Sequence, residues 1–234
     1  VTGLELLAIA AVAAGSVAQA VTGFGFALVA APALVAWLGP TPAVVTVCVL
    51  GTVASVPPYV REARHTHWPM VAVWFVPATV VTWLVGLALG DLDAGLLAAV
   101  AGLAVLVAVG LLAAGRSAPR ATGVHGAVLA GAVSGAMNVV GGVGGPPVAL
   151  YAANAGWPMA RTRATLLAFF ALQNVVTVAV LGWVWPPWTT VVAMLLGTVA
   201  GVWAARLLSA TVVRVAVLGT AAFGGVALVV GGLH

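Results

Sequence analysis

Residues 131–147 read Gly-Ala-Val-Ser-Gly-Ala-Met-Asn-Val-Val-Gly-Gly-Val-Gly-Gly-Pro-Pro, a glycine-rich break in the middle of an otherwise membrane-length apolar segment. Six helix breakers, Gly141, Gly142, Gly144, Gly145, Pro146 and Pro147, crowd into the last seven positions. A bilayer interior offers no water to free N–H and C=O groups. Irregular backbone at that depth is therefore tolerated only where protein or a watered cavity surrounds it. The run marks the place to look for a ligand.

A related run lies near the N-terminus, from Gly15 to Pro32, with its break at Gly23-Phe-Gly25. Both runs pair a small-residue segment carrying amides or hydroxyls with a glycine break, and then a proline opening a second apolar segment. This pattern suggests two diverged copies of one unit. The competing explanation is that the glycines only let membrane helices pack closely.

Composition restricts the class further. Of 234 residues, 64% are hydrophobic and 5% charged, which excludes an ordinary soluble domain and leaves a polytopic membrane protein with little mass outside the bilayer. Val1 to Ala14 lacks a basic region and carries Glu5, so no cleavable signal peptide is expected. The single cysteine, Cys48, rules out a disulfide framework and reads as a small packing residue. The net charge of +4 comes from arginines scattered through loops, without the patch that nucleic acid would need.

In chain order, apolar segments run from Leu4 to Thr22, Phe26 to Leu38, Ala43 to Val60, Trp68 to Leu89 and Ala94 to Ala114. Pro57-Pro58 closes the third. After Gly115 to Gly123, the second half continues with His125 to Val140, Pro147 to Ala155, Ala164 to Gly182, Thr189 to Leu208 and Val212 to Val230. The expected fold is an all-α polytopic membrane protein of two inverted repeats, each a glycine-broken hairpin or helix pair plus three transmembrane helices. Residues 1–114 and 124–234 form the repeats and 115–123 a cytoplasmic linker, within one integral membrane domain. Counting each broken pair once gives eight segments; counting every piece gives ten.

Charge placement favours broken pairs that return to the side they entered. In that arrangement Arg61, Arg64, Arg116, Arg120, Arg161, Arg163, Arg206 and Arg214 share one side, cytoplasmic by the positive-inside rule, and both termini lie outside. Pairs that crossed only once would scatter the arginines. Trp37, Trp68, Trp157, Trp183, Trp185 and Trp188 fall at headgroup level, whereas Trp74, Trp83 and Trp203 lie further inside and read as packing residues.

The candidate binding residues are polar groups and glycines at mid-depth. Asn138 precedes the second break, one turn after Ser134, and Gln19 and Thr22 hold the comparable place before Gly23 and Gly25. Gln173 and Asn174 lie roughly 15 to 18 Å along their span at 1.5 Å per residue, near the middle of a core about 30 Å thick. An anion suits such a site, since Gly141, Gly142, Gly144 and Gly145 expose backbone amides and a helix opening near Pro147 adds its positive end. Arg163, like Arg161, reads as a topology and lipid-phosphate residue, or else as one that turns inward to attract an anion at the cytoplasmic mouth. No carboxylate relay, catalytic triad, metal-ligand cluster or nucleotide-binding loop is present, so neither an enzyme nor a cofactor is expected.

The chain resembles the TauE/SafE sulfite and sulfonate exporter family. The likeness lies in the two related halves, the Gly23-Phe-Gly25 run with downstream Pro32, the signature Gly141-Gly-Val-Gly-Gly-Pro-Pro147, and the stretch Arg163-Ala-Thr-Leu166. The resemblance implies a secondary carrier in the cytoplasmic membrane of a prokaryote, moving a small organic or inorganic sulfur anion. It assigns the glycine breaks and Arg163 to substrate. Membrane lipids and a second copy of the chain, as a homodimer, are the other expected partners. The rival classes are an anion channel and a non-transporting assembly or sensor subunit.

Overall fold

The computed structural model describes residues 2–22, 25–90, 92–114, 123–204 and 210–233. They form ten α-helices: α1 (Gly3–Thr22), α2 (Phe26–Leu38), α3 (Pro40–Glu62), α4 (Trp68–Leu89), α5 (Ala94–Ala114), α6 (Gly123–Gly141), α7 (Gly145–Asn154), α8 (Met159–Leu181), α9 (Trp188–Ala204) and α10 (Ala210–Gly232). No strand occurs among the described residues. Seven helices, α1, α3, α4, α5, α6, α8 and α10, are long and apolar enough to cross a membrane. The chain is an all-helical, multi-pass membrane protein. Its outward side chains agree, since Leu87, Leu129, Val175 and Phe223 are each more than 60% exposed, as a lipid-facing surface requires.

Lipid tails are as apolar as leucine, so helices in a bilayer associate through close packing rather than through apolar burial. Glycines supply that closeness here. Gly131 and Gly135 of α6 lie on the backbone of Trp74 and Ala78 of α4. In the same way, Gly197 and Gly201 of α9 lie on Ala13 and Val17 of α1. In both pairs the numbering advances together, so the helices run parallel. Gly102 and Gly95 of α5 meet Gly225 and Gly232 of α10 in reverse order, so this pair is antiparallel. Helices α3 and α8 are antiparallel as well, with Glu62 against Arg163 at one end and Thr52 against Asn174 further along.

Helices α6 and α7 form an antiparallel hairpin. Gly144 lies beside Ser134, and the Tyr151 hydroxyl donates to the Gly123 carbonyl at the start of α6. At 10 residues α7 is only about 15 Å long and covers about half the bilayer core.

Three sequence expectations need correction. Helix α3 does not close at Pro57-Pro58 but continues to Glu62. The helix bridges the missing proline N–H groups, and Ser55 donates its hydroxyl to the Gly51 carbonyl just upstream. Helix α8 starts at Met159, so Arg161 and Arg163 belong to its first turns rather than to a preceding loop. Trp74 is fully buried, but Trp83 and Trp203 are 48% and 70% exposed and lie on the outer surface. The indole ring is amphipathic and serves an outward position as readily as an internal one.

These contacts predict a contrast between two glycines. A Cβ on Gly135 collides with the Ala78 carbonyl, which is backbone and cannot yield, whereas one on Gly110 meets nothing within 4 Å. Gly135→Ala is expected to destabilise the fold by about 1–3 kcal/mol and Gly110→Ala to leave thermal unfolding in detergent unchanged or improved. Equal shifts in the two variants would contradict this packing.

Candidate functional site

The first break is held together by one side chain. Gln19, near the end of α1, accepts hydrogen bonds on Oε1 from the backbone N–H groups of Gly25 (3.0 Å) and Phe26 (3.3 Å), the first donors of α2. Its Nε2 donates to Ser55 Oγ of α3 at 2.8 Å. One amide thus satisfies two free helix-start groups and ties three helices. Thr22, whose side chain is outside the described set, and Gly23, which lies outside the described residues, complete the first-half candidates.

The second break is held by its own backbone and by Ser134. Gly142 takes a left-handed conformation (φ 71°) at the end of α6, its N–H donating to the Asn138 carbonyl at 2.8 Å. That conformation favours glycine over any residue bearing a Cβ. Ser134 Oγ donates to the Gly144 carbonyl at 2.6 Å. Helix α7 then begins at Gly145 with no side-chain cap. Pro146 and Pro147 have no N–H to leave unpaired, while the Gly145 amide belongs to the uncapped helix start.

Beside this turn an amide relay crosses three helices. Asn138 Nδ2 of α6 donates to Asn174 Oδ1 (3.1 Å) and Thr177 Oγ1 (2.9 Å) of α8. Asn174 Nδ2 donates in turn to Thr52 Oγ1 (2.8 Å) and the Cys48 carbonyl (3.2 Å) of α3. Fixed this way, the amides cannot rotate freely and present defined polar atoms.

The two breaks meet at one cavity of about 60 Å³, several times the roughly 10–15 Å³ that one water needs. Gln19, Gly25, Ser55, Asn138, Gly142, Gly145 and Asn174 line it, with apolar walls from Phe26, Val47 and Phe170. Its lining residues carry no ionisable group. Whatever it holds must be bound by neutral donors and by a helix start.

The structure separates the remaining sequence candidates from this cavity. Gly141 and Gly144 are packing positions within the turn, Gly144 pressed against Ser134 and Asn138. Gln173 is fully buried one face away, its Nε2 donating to Thr82 Oγ1 at 2.7 Å. Arg163 is ion-paired to Glu62 (Nη2 to Oε1, 2.7 Å) at the end of α3, outside the cavity lining. Arg161 stacks 4.5 Å from the Trp157 ring centroid. Nearby, His67 caps α4 by accepting from the Met70 N–H on Nδ1 (3.2 Å), and its backbone N–H donates to Thr165 Oγ1 (3.0 Å). Burial, followed by the Arg161 charge, lowers its pKa and so favours the neutral ring that the cap requires.

Sequence reasoning missed Ser55, Thr52, Thr177 and Phe170. The first two form a polar pair, one turn apart, just after Gly51 in an apolar helix, and Thr177 sits one turn from Asn174. Those spacings were the available signal.

Comparison with known proteins gives one family match: residues 7–228 fit the model described as "Sulfite exporter TauE/SafE". No curated protein and no solved structure matches the chain.

The double role of Gln19 can be checked by two substitutions. Gln19→Leu leaves the Gly25 and Phe26 N–H groups without an acceptor and is expected to cost about 2–4 kcal/mol. Gln19→Glu keeps an acceptor for both but loses the Nε2 donation to Ser55 and buries a carboxyl, so it should lose clearly less stability than Gln19→Leu without reaching the wild type. Identical losses of stability in the two variants would show that the side chain's shape, not its acceptor, holds the break.

Proposed function

From the chain's membership of the TauE/SafE sulfite exporter family, we propose that it is a secondary carrier that exports small sulfur-containing anions, such as sulfite or organosulfonates, by alternating access. The observation that carries this reading is the meeting of both chain breaks at one uncharged, amide-lined cavity. An oxyanion presents only acceptors. The Gly145 amide at the uncapped start of α7 supplies a complementary donor, and the Asn138 and Asn174 amides, which already donate to Thr177, Thr52 and the Cys48 carbonyl, add donors by trading those bonds for the anion. Neutral donors bind an anion without the grip of a fixed cation, which suits a carrier that must also release its cargo.

Alternating access needs two arrangements of nearly equal energy, and inverted repeats are a common source of them. The helix pairing supports such repeats in residues 1–114 and 124–234. The first helix of each half packs parallel to the fourth helix of the other, α1 with α9 and α6 with α4. The third helices pair with each other and so do the fifth, α3 with α8 and α5 with α10, both antiparallel. A two-fold axis in the membrane plane relates pairs in this way. The directions also favour broken pairs that return, because single crossings would make α3 parallel to α8 and α5 parallel to α10. On this reading both termini lie outside and the arginines face the cytoplasm of a prokaryotic cell.

An inside-negative potential assists the exit of an anion by roughly 2.3 kcal/mol per charge per 100 mV, provided the charge moves uncompensated.

The test is counterflow. Purified protein in liposomes should exchange labelled sulfite for unlabelled sulfite or an organosulfonate saturably. Asn138→Leu should lower that exchange at least about tenfold, one lost relay being worth about 1.4 kcal/mol or more, while assembling normally. Silence of the wild type over a panel of sulfite, sulfoacetate and taurine would reject the substrate class. Full exchange by Asn138→Leu would remove the site from this cavity.

A further inference from the structure

The cavity carries no charge, yet a partly buried cation and a partly buried anion face each other nearby. Glu62 ends α3 and Arg163 opens α8, so the pair joins the two halves of the chain. Ser55 and Phe170, which line the cavity, each stand seven residues from this pair along the same two helices. Two helical turns, about 10 Å, separate the ion pair from the cavity floor. It lies across the seam between the cavity and the arginine-bearing end.

The bond itself is incomplete. A guanidinium and a carboxylate can pair through two parallel hydrogen bonds. Here only Nη2 and Oε1 meet, at 2.7 Å, while Arg163 Nε and Glu62 Oε2 are buried and without hydrogen-bond partners. Both side chains are about one-fifth exposed, so each has lost most of its water and depends on the other. Breaking such a pair without a replacement leaves an uncompensated charge and is strongly unfavourable. Replacing the carboxylate by another oxyanion keeps the guanidinium compensated, and the displaced Glu62, one-fifth exposed at the end of α3, turns outward to water. A small anion with two oxygens on one centre fits the guanidinium fork and also engages the Nε that Glu62 leaves idle.

We propose that Glu62 is a resident stand-in for the transported anion on Arg163, so that the α3–α8 ion pair is a gate opened by the anion itself. The arriving oxyanion displaces the Glu62 carboxylate, takes over Arg163 and reaches the neutral cavity two turns away. When no anion is present, Glu62 returns and the seam closes. Selectivity follows from chemistry, because a cation or a neutral solute cannot replace a carboxylate on a guanidinium. This inference rests on the carrier reading above and adds to it a receiving site and a competitor.

The two roles, competitor and receptor, predict effects of opposite sign. In proteoliposomes, the half-saturating sulfite concentration for exchange is measured with the anion supplied from each face in turn. Glu62→Gln frees Arg163 and should lower that concentration about fivefold at the arginine-bearing face. Arg163→Gln should raise it about tenfold or more there, and the double variant should resemble Arg163→Gln. Arg163→Lys keeps the charge but loses the fork. It should give an intermediate rise, about threefold, and it carries the test if Arg163→Gln does not assemble. A purely structural latch predicts the contrary: Glu62→Gln and Arg163→Gln shift together, in stability and in exchange. An unchanged or raised half-saturation in Glu62→Gln would likewise overturn the proposal while leaving the carrier intact. A wild type that exchanges no sulfur anion would instead reject the carrier reading, and this one with it.

Discussion

Hydrocarbon does not hydrogen-bond to a peptide, and this constraint governs the structure. The ten helices satisfy the hydrogen bonds of their own interiors in any packing arrangement, but the two breaks at Gly25 and Gly142 cannot. Each break needs acceptors or donors brought to it by other parts of the chain. Gln19 supplies them at the first, and Ser134 with the Asn138 carbonyl at the second. Because these groups sit on α1 and α6, those helices must pass close to their own returning chains. The paired glycines that bring α6 onto α4 and α9 onto α1 hold the frame in which this happens. The cavity is what remains between two such solutions placed face to face.

Much of this frame was legible in the sequence. Apolar stretches and their flanking turns located the helices, with α4 and α5 matching to the residue, because hydropathy in a bilayer protein reports span directly. The breaks were legible because glycine and proline are costly in a long apolar helix without a reason. Partners distant in sequence were not legible. Nothing local to Gln19 announces Ser55, and nothing local to Arg163 announces Glu62, since each pair is joined only by the packing of α3 against its neighbours. Depth alone also failed to separate Asn174 from Gln173. Adjacent residues on a helix point about 100° apart, so one enters the cavity and the other turns to Thr82.

The division between neutral and charged groups gives the site its character. Polar atoms at the cavity come from amides, hydroxyls and backbone, all held by neighbours, while the charged residues of this region stand at the helix ends. A cation inside the cavity would bind an anion tightly and slow its release. A cation at the mouth gathers anions without holding them at depth. On the proposed carrier reading, this separation means that the free energy of binding need not be large at any one point along the route.

The central claim, that an oxyanion occupies the cavity where the two breaks meet, can be tested most directly by locating the anion. Selenite has the charge and shape of sulfite and scatters X-rays anomalously. Crystals of the protein grown with selenite should show an anomalous peak bounded by Asn138, Asn174 and the Gly145 amide, and sulfite in excess should abolish it. A peak confined to surface arginines, with the cavity vacant at saturating selenite, would contradict the account.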